Sequence, residues 1–284
     1  EVILWPESFF TMLLSRLSVK NAKGFFTYNP ESPRCWLKVK YLDRSDELNL
    51  KNFHFTLEDN TSLDSQYVEE LKKEYTGLWY SRYILGQFVA ATGAVYDSFD
   101  INKHVISELP EKFDKIYTAV DYGTANATCF LLFGRAKGKW TVYKEYYFDS
   151  RKAGKQETDK EYAQDLIAFL DGKYPQKILV DPSAASFIQE IRSLKKYRVG
   201  FAQNEVLDGI RLTSKALADG NLLIYKGCTK LIEQIQSYTW DEKAQSVGLD
   251  KPVKVDDHAV DALRYGAIEI FNHNYNKMPV NLPK

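Results

Sequence analysis

The sequence predicts an α/β protein in two parts: a mixed sheet flanked by helices over 111–284, and a smaller α/β region over 1–110 before it. Three observations carry this prediction. In the second part, three strand-like stretches joined by tight turns come first, and helices alternating with strands follow. Two of those strands end in aspartate. Between the parts, the glycine-containing stretch Ala90 to Asp100 leads into the polar segment Ser107-Glu108-Leu109-Pro110, where the boundary is expected.

In the first part, Phe9, Leu13, Leu14 and Leu17 share one face of a helix from Ser8 to Leu17. Gly24-Phe25-Phe26-Thr27 reads as a short buried strand closed by the turn Tyr28-Asn29-Pro30, and Phe53 to Leu57 reads as another. Asp64 is placed to cap a helix carrying Tyr67, Val68, Leu71 and Tyr75. In the second part, Lys115 to Asp121, Thr128 to Phe133 and Trp140 to Phe148 are three strands, the last two joined by the turn Arg135 to Lys139. A helix follows through Glu161, Tyr162, Leu166, Ile167 and Leu170. The run Lys177-Ile178-Leu179-Val180-Asp181 is a fourth strand, apolar enough to be buried on both faces. Pro182 suits the start of a helix that continues through Phe187, Ile188, Ile191 and Leu194. Arg198 to Ala202 is a fifth strand and Leu207 to Leu217 a further helix. Tyr238 to Lys254, with Trp240, Gly248 and Pro252 among charges, reads as an exposed hairpin or loop, and a last helix starts near Asp256. A meander of three strands followed by alternating helices and strands is the order of an RNase H-like sheet.

Composition excludes more than it selects. With 38 basic and 38 acidic side chains the formal net charge is zero, so no global excess of cation points to nucleic acid. The first 100 residues hold 11 basic against 14 acidic side chains and the remainder 27 against 24, a slight opposite bias that fits two units. Cys35, Cys129 and Cys228 are far apart, which argues against a disulfide framework or a cysteine zinc site and fits a reducing compartment. No stretch approaches the ~18 apolar residues of a membrane span, and no basic leader precedes an apolar run. The chain lacks an initiator Met and opens in mid-pattern, so it reads as part of something longer.

Three acidic positions carry the chemistry. Asp121 ends the first strand of the meander, Asp181 ends the fourth, and Asp261 lies one turn inside the last helix. Strands one and four are neighbours in a sheet of this order, so Asp121 and Asp181 emerge side by side, and a helix crossing that edge can add the third carboxylate. Hard divalent cations take oxygen ligands and keep several waters, which suits two or three aspartates that leave room for phosphate. Two such ions can clamp both oxygens of a phosphodiester displacement. Asp257 and His258 precede Asp261 by four and three residues, so they share a helix face with it, and His258 could ligate, orient water or protonate a leaving group. Each aspartate alone would equally suit a turn or a helix cap; the joint order is what selects the metal reading. His54, His104 and His273 have no sequence partners and read as structural or exposed.

This order, with Asp257-His258-Ala259-Val260-Asp261-Ala262-Leu263-Arg264-Tyr265, resembles the nuclease domain of the large terminase subunit of tailed bacteriophages and prophages. Upstream, Phe9 to Leu17, then Phe26 to Pro33 and Trp36-Leu37, resembles the end of the terminase ATPase. Tyr83 to Phe88 and Gly93 to Phe99 are similar to that domain's exit into the linker. The resemblance implies the C-terminal part of a P-loop ATPase α/β domain with its linker over 1–110 and an RNase H-like (RuvC-like) nuclease domain over 111–284. It implies Asp121, Asp181 and Asp261 as ligands of two Mg²⁺ or Mn²⁺ ions, His258 beside them and Asp257 in reserve. It also implies that Thr27 and Asn29 couple nucleotide state to movement, with Glu1 in the place of the catalytic glutamate. The implied activity is cleavage of concatemeric double-stranded viral DNA during packaging. The implied partners are DNA, the small terminase subunit and the portal protein, in the host cytoplasm and docked on the procapsid portal.

Some features depart from that pattern. No G-x-x-x-x-G-K-[ST] is present, so ATP hydrolysis belongs to an intact motor with a further N-terminal part. Cys35 stands where the family often has His, and Gln87-Phe88 replaces a commoner acidic-aromatic pair. Asp121-Tyr122-Gly123-Thr124 after a strand also resembles the first phosphate loop of actin-like sugar kinases, although no second Asp-x-Gly follows. A catalytically silent structural module of the packaging machine is a third possibility. Local basic groups could contact phosphates: Arg135, Lys137 and Lys139 in one turn, and Lys243, Lys251 and Lys254 in the segment before the last helix.

Overall fold

The computed structural model describes residues 1–124 and 126–272. The chain divides into two compact units, one of Glu1–Gly93 with Thr239–Val253 and one of Ala94–Tyr238 with the chain from Lys254 onward. Residues 94–110, assigned to the first part from the sequence, thus fall in the second unit, and the segment expected as an exposed hairpin falls in the first.

The second unit is a seven-stranded mixed sheet. Its strands are β1 (Val105–Ile106), β2 (Lys115–Asp121), β3 (Ala127–Ala136), β4 (Lys139–Asp149), β5 (Ile178–Val180), β6 (Val199–Phe201) and β7 (Leu222–Tyr225), in the spatial order β1-β7-β4-β3-β2-β5-β6. β2, β3 and β4 form the expected antiparallel meander, and β2 pairs in parallel with β5 in the register Val120↔Val180. The β3–β4 turn is tight because Lys137 and Gly138 both take positive φ, 50° and 82°, which matches the twist of the flanking strands.

Strand alternation decides which side chains meet which helices. Val120, Phe130, Leu132, Ile178 and Val180 point to one face, where the helices Asp159–Leu170 and Ala185–Ser193 cover them with Leu166, Leu170, Phe187 and Ile191. Residues of the opposite parity, Asp121 among them, point to the other face, where the last helix, His258–Phe271, packs on β2 and β3. Two glycines permit that approach. A Cβ on Gly266 would sit 2.3 Å from the Phe133 ring, and one on Gly209, in the helix Val206–Ala218, would sit 2.1 Å from Cγ of Arg264.

The first unit is built differently. Helix Glu7–Ser15 forms as expected, and Asp64 caps Ser65–Glu74 by accepting from the backbone N–H groups of Gln66 and Tyr67. Its core is an aromatic cluster in which Phe10 meets Phe26 and Tyr41 edge to face at 5.0 Å. The two strands expected at Gly24–Thr27 and Phe53–Leu57 are not formed. Neither segment has a partner strand, and Phe25, Phe53 and Phe55 stay exposed. Thr56 instead opens a short helical turn, Leu57–Asp59, with a reciprocal capping box to Asp59.

The Thr239–Val253 segment corrects the exposed-hairpin expectation. Trp240 and Pro252 pair antiparallel as expected of a hairpin, but a short helix, Glu242–Ser246, lies between them, and Trp240 and Gln245 are buried. Arg82, 1% exposed, holds Asp250 at 2.5 Å and also donates to the Val89 carbonyl. Gln245 donates to the second oxygen of Asp250 at 2.6 Å.

Candidate active site

The parallel pairing of β2 with β5 sets Asp121 and Asp181 at adjacent strand ends. Both have the parity that points away from the apolar cluster and toward the last helix. Asp181 is followed by a turn rather than directly by a helix: the helix begins at Ala185, and Asp181 Oδ1 accepts the Ser183 backbone N–H at 2.8 Å. Pro182 therefore starts the turn and not the helix, a small correction to the sequence reading.

The last helix supplies the rest. His258 Nδ1 donates to Asp121 Oδ2 at 2.8 Å, since an ionised carboxylate can only accept. Seven residues on, the Tyr265 hydroxyl lies 3.0 Å from Asp181 Oδ2 and 3.5 Å from Asp121 Oδ1. Asp261 is held by Arg264, whose Nη2 donates to it at 2.9 Å while Nη1 reaches the Asn204 carbonyl at 2.8 Å. The N-terminus of this helix has an unusual cap. Asp257 makes no capping bond; the buried Gln234, from the helix Thr229–Ser237, accepts from the N–H groups of Ala259 at 2.7 Å and Val260 at 3.3 Å. A neutral amide thereby satisfies two orphan donors, and the Asp257 carboxylate is left out of the cap. Glu145 in β4 anchors the Gln234 helix in turn, accepting from Lys230 N and Leu231 N.

The electrostatics separate the two strand-end carboxylates. Burial raises the Asp121 pKa, the hydrogen bond from His258 opposes this, and the charge of Asp261 adds to it. Burial would raise Asp181 too, but bonds from Ser183, Tyr265 and Asn204 outweigh it and hold its carboxyl below the usual range. Asp257 is raised by burial and by Asp261. The hydrogen bond to Asp121 raises His258 above its ordinary value. Burial and the three carboxylates push the Tyr265 phenol far up, so it remains a donor.

Among the described residues, no three His, Cys, Asp or Glu side chains converge closely enough to enclose an ion alone. The donor set instead suits an ion held by one or two carboxylates, with its other positions taken by water and phosphate, as Mg²⁺ prefers. Asp121, Asp257 and Asp261 repel one another in a half-buried site, and added positive charge would relieve that repulsion. The residues present fit a divalent cation.

The other expected groups fall in several places. Glu1 and Asn29 meet: the Asn29 backbone N–H and side-chain amide donate to the Glu1 carboxylate at 3.2 and 3.4 Å, and Val2 N bonds to the Thr27 carbonyl at 2.9 Å. Arg135, Lys137 and Lys139 are not near the carboxylates. Arg135 pairs with Lys115, at the opposite end of β2 from Asp121, about 20 Å away at ~3.3 Å per residue, and it is engaged by Asp114. Lys243 and Lys251 lie in the first unit. Lys254 is exposed and close enough to Asp257 to oppose its upward shift. His104 is structural, its Nε2 bonded to the Leu217 carbonyl; His273 lies outside the described residues. Sequence reasoning missed the roles of Tyr265, Arg264 and Gln234. The first two had a signal, because they stand four and three residues beyond Asp261 on the same helix face; Gln234 had none.

Comparison with known proteins identifies the family and the fold. The family "Terminase large subunit, T4likevirus-type, N-terminal" matches residues 1–103. The large terminase subunit of Escherichia phage T5 is 25% identical over 278 residues, 93% of this chain, and the chain spans 62% of that relative's length. The large terminase of a thermophilic bacteriophage, solved in complex with ATP-γ-S, superposes with a TM-score of 0.88 at 46% identity, covering 94% of this chain and 68% of that one. The nuclease domain of the P22 large terminase shares the fold, with a TM-score of 0.51 at 16% identity over 64% of this chain and 94% of its own. The sugar-kinase alternative is thereby set aside, and the chain belongs to the large terminase family.

Proposed function

We propose that the chain carries the nuclease centre of a DNA-packaging motor and cuts concatemeric double-stranded viral DNA by metal-dependent phosphodiester hydrolysis. The observation that supports this most is the pairing of Asp121 and Asp181 at adjacent strand ends under one helix that brings His258 and Tyr265 to them and Asp261 within reach of Asp121 through its charge. A bound divalent cation, two in the fullest form of this reading, would supply Lewis-acid stabilisation and a more acidic water. Asp121, Asp181 and Asp261 are the residues to hold it, with Asp257 in reserve. Asp121 fixes the His258 ring through Nδ1, which leaves Nε2 to exchange a proton with water or with the departing oxygen. Arg264 ties up Asp261, so this carboxylate acts on the site first through its charge. The same ion pair favours the second reading, a silent structural module.

Glu1, Thr27 and Asn29 form the coupling corner in this reading, with ATP hydrolysed only in the intact motor. DNA, the small terminase subunit and the portal protein are the partners, and the procapsid portal in the host cytoplasm is the place of action. Lys254 is the basic residue best placed to meet a phosphate beside the carboxylates. Incubating the purified chain with supercoiled plasmid and Mn²⁺ or Mg²⁺ tests the reading. Nicked and linear products should appear with the metal, vanish in EDTA and be absent for Asp121→Ala. Cutting that persists in EDTA or in this variant would sink the proposal; no cutting by the wild type would favour the silent module.

A further inference from the structure

We propose that Tyr265 is a positioning residue for the divalent cation: its hydroxyl fixes the Asp181 carboxylate beside Asp121, in the orientation in which the pair can hold an ion. This rests on the metal-dependent reading above. The two aspartates come from different strands, and backbone pairing fixes their Cα atoms but not their side-chain torsions. Two ionised carboxylates left to themselves would turn apart. The Tyr265 hydroxyl has one hydrogen and donates it to Asp181 Oδ2 at 3.0 Å, while its oxygen stands 3.5 Å from Asp121 Oδ1, between the two carboxylates.

A phenol suits the task better than a cation. It carries no charge, so the pair keeps its full attraction for a metal ion. It takes one of the two lone pairs on Asp181 Oδ2 and leaves the other free. Asp261 provides the contrast, because the Arg264 guanidinium holds one of its oxygens in an ion pair. The hydroxyl is also held in place. Tyr265 is 4% exposed, and the Arg264 guanidinium lies 5.0 Å from its ring centroid, itself fixed by Asp261 and the Asn204 carbonyl. The neighbouring Gly266 lets the helix sit directly against Phe133. Packing thus fixes the ring, and the ring fixes the Asp181 carboxylate, while His258 holds Asp121, as groups behind a metal's ligands are expected to do.

The test is Mn²⁺ binding by the full chain, read by electron paramagnetic resonance of free Mn²⁺ and needing no DNA or turnover. Tyr265→Phe keeps the ring and removes the bond, and its affinity should fall 10- to 100-fold. Replacing Tyr265 by p-aminophenylalanine restores a donor and should recover most of that loss; it also serves if the Phe variant fails to fold. Tyr143→Phe is the control. Its hydroxyl is buried in β4 with no hydrogen-bond partner among the described residues, so its removal should leave Mn²⁺ binding unchanged. Equal or tighter binding by a folded Tyr265→Phe would overturn the inference, as would an equal loss in Tyr143→Phe or no recovery with the amino analogue. A wild-type chain that binds no Mn²⁺ would overturn the metal-dependent reading itself and this inference with it.

Discussion

The two units of this chain hold themselves together in different ways. The second buries alternating apolar strand residues, aliphatic and aromatic, under regular helices, with Val120, Phe130, Leu132 and Val180 fully excluded from water. The first packs aromatic rings edge to face around Phe10 and closes a buried Arg82–Asp250 pair, with little regular structure between short helices. The difference is one of information. A sheet repeats its in-out pattern every two residues, so it advertises itself in sequence and fixes the position of side chains at its ends. A core of rings and one ion pair depends on particular partners distant in sequence.

Breaking those partners separates the two cases. The largest effect is expected for Arg82→Ala, which leaves Asp250 buried without its cation and should cost about 3–5 kcal/mol. Calorimetry should show the first unit melting earlier while the second keeps its transition; an equal shift of both would mean the units are not separately stabilised. Next is Gln234→Met in the second unit. Leaving the Ala259 and Val260 N–H groups without their acceptor should cost about 1–3 kcal/mol and lower Mn²⁺-dependent cleavage roughly tenfold or more by shifting His258. Unchanged cleavage in a destabilised Gln234→Met chain would show that the cap stabilises the helix without positioning the site. A smaller loss, about 1 kcal/mol, is expected for Thr158→Ala, which breaks the capping box with Glu161 on the helix that covers the sheet face opposite the last helix; chemical denaturation measures it, and cleavage should not change.

The smallest effect distinguishes the units by pH. Burial first, and then the charge of Asp250, raises Glu31 above the ordinary glutamate value. The folded first unit therefore holds this proton more tightly than the unfolded chain. Its stability should fall as pH rises from the ordinary glutamate range through the raised value and level off above it. Denaturation of wild type and Glu31→Gln across that range checks the sign; an equally steep slope in the variant would assign the dependence to another group.

The same contrast explains what the sequence could tell. The β2–β3–β4 meander, the β5 run and the last helix were legible because each has a strong period, and the neighbouring ends of β2 and β5 followed from the element order. The Asp-His-x-x-Asp pattern followed from helical spacing. β1 and β7, at two and four residues, are too short to show a period, and their place comes from parallel pairing with each other and with β4. Gly24–Thr27 and Phe53–Leu57 look like strands, but strand character needs a partner and neither has one. Gln234 reads as any polar residue on a helix until the fold brings it against Ala259. The zero net charge, which first weakened the case for nucleic acid, sums carboxylates at one site with cations elsewhere and says little about either.

The central claim is that Asp121 and Asp181 form one metal-dependent cleavage site. The most direct test compares plasmid cleavage by the wild-type chain and by Asp181→Ala, both folded by circular dichroism, with Mn²⁺ and without. The account predicts nicked and linear DNA from the wild type only with the metal, and a loss on the order of 10⁴-fold in the variant, as when one member of a catalytic unit is removed. Cleavage by Asp181→Ala at the wild-type rate would contradict it.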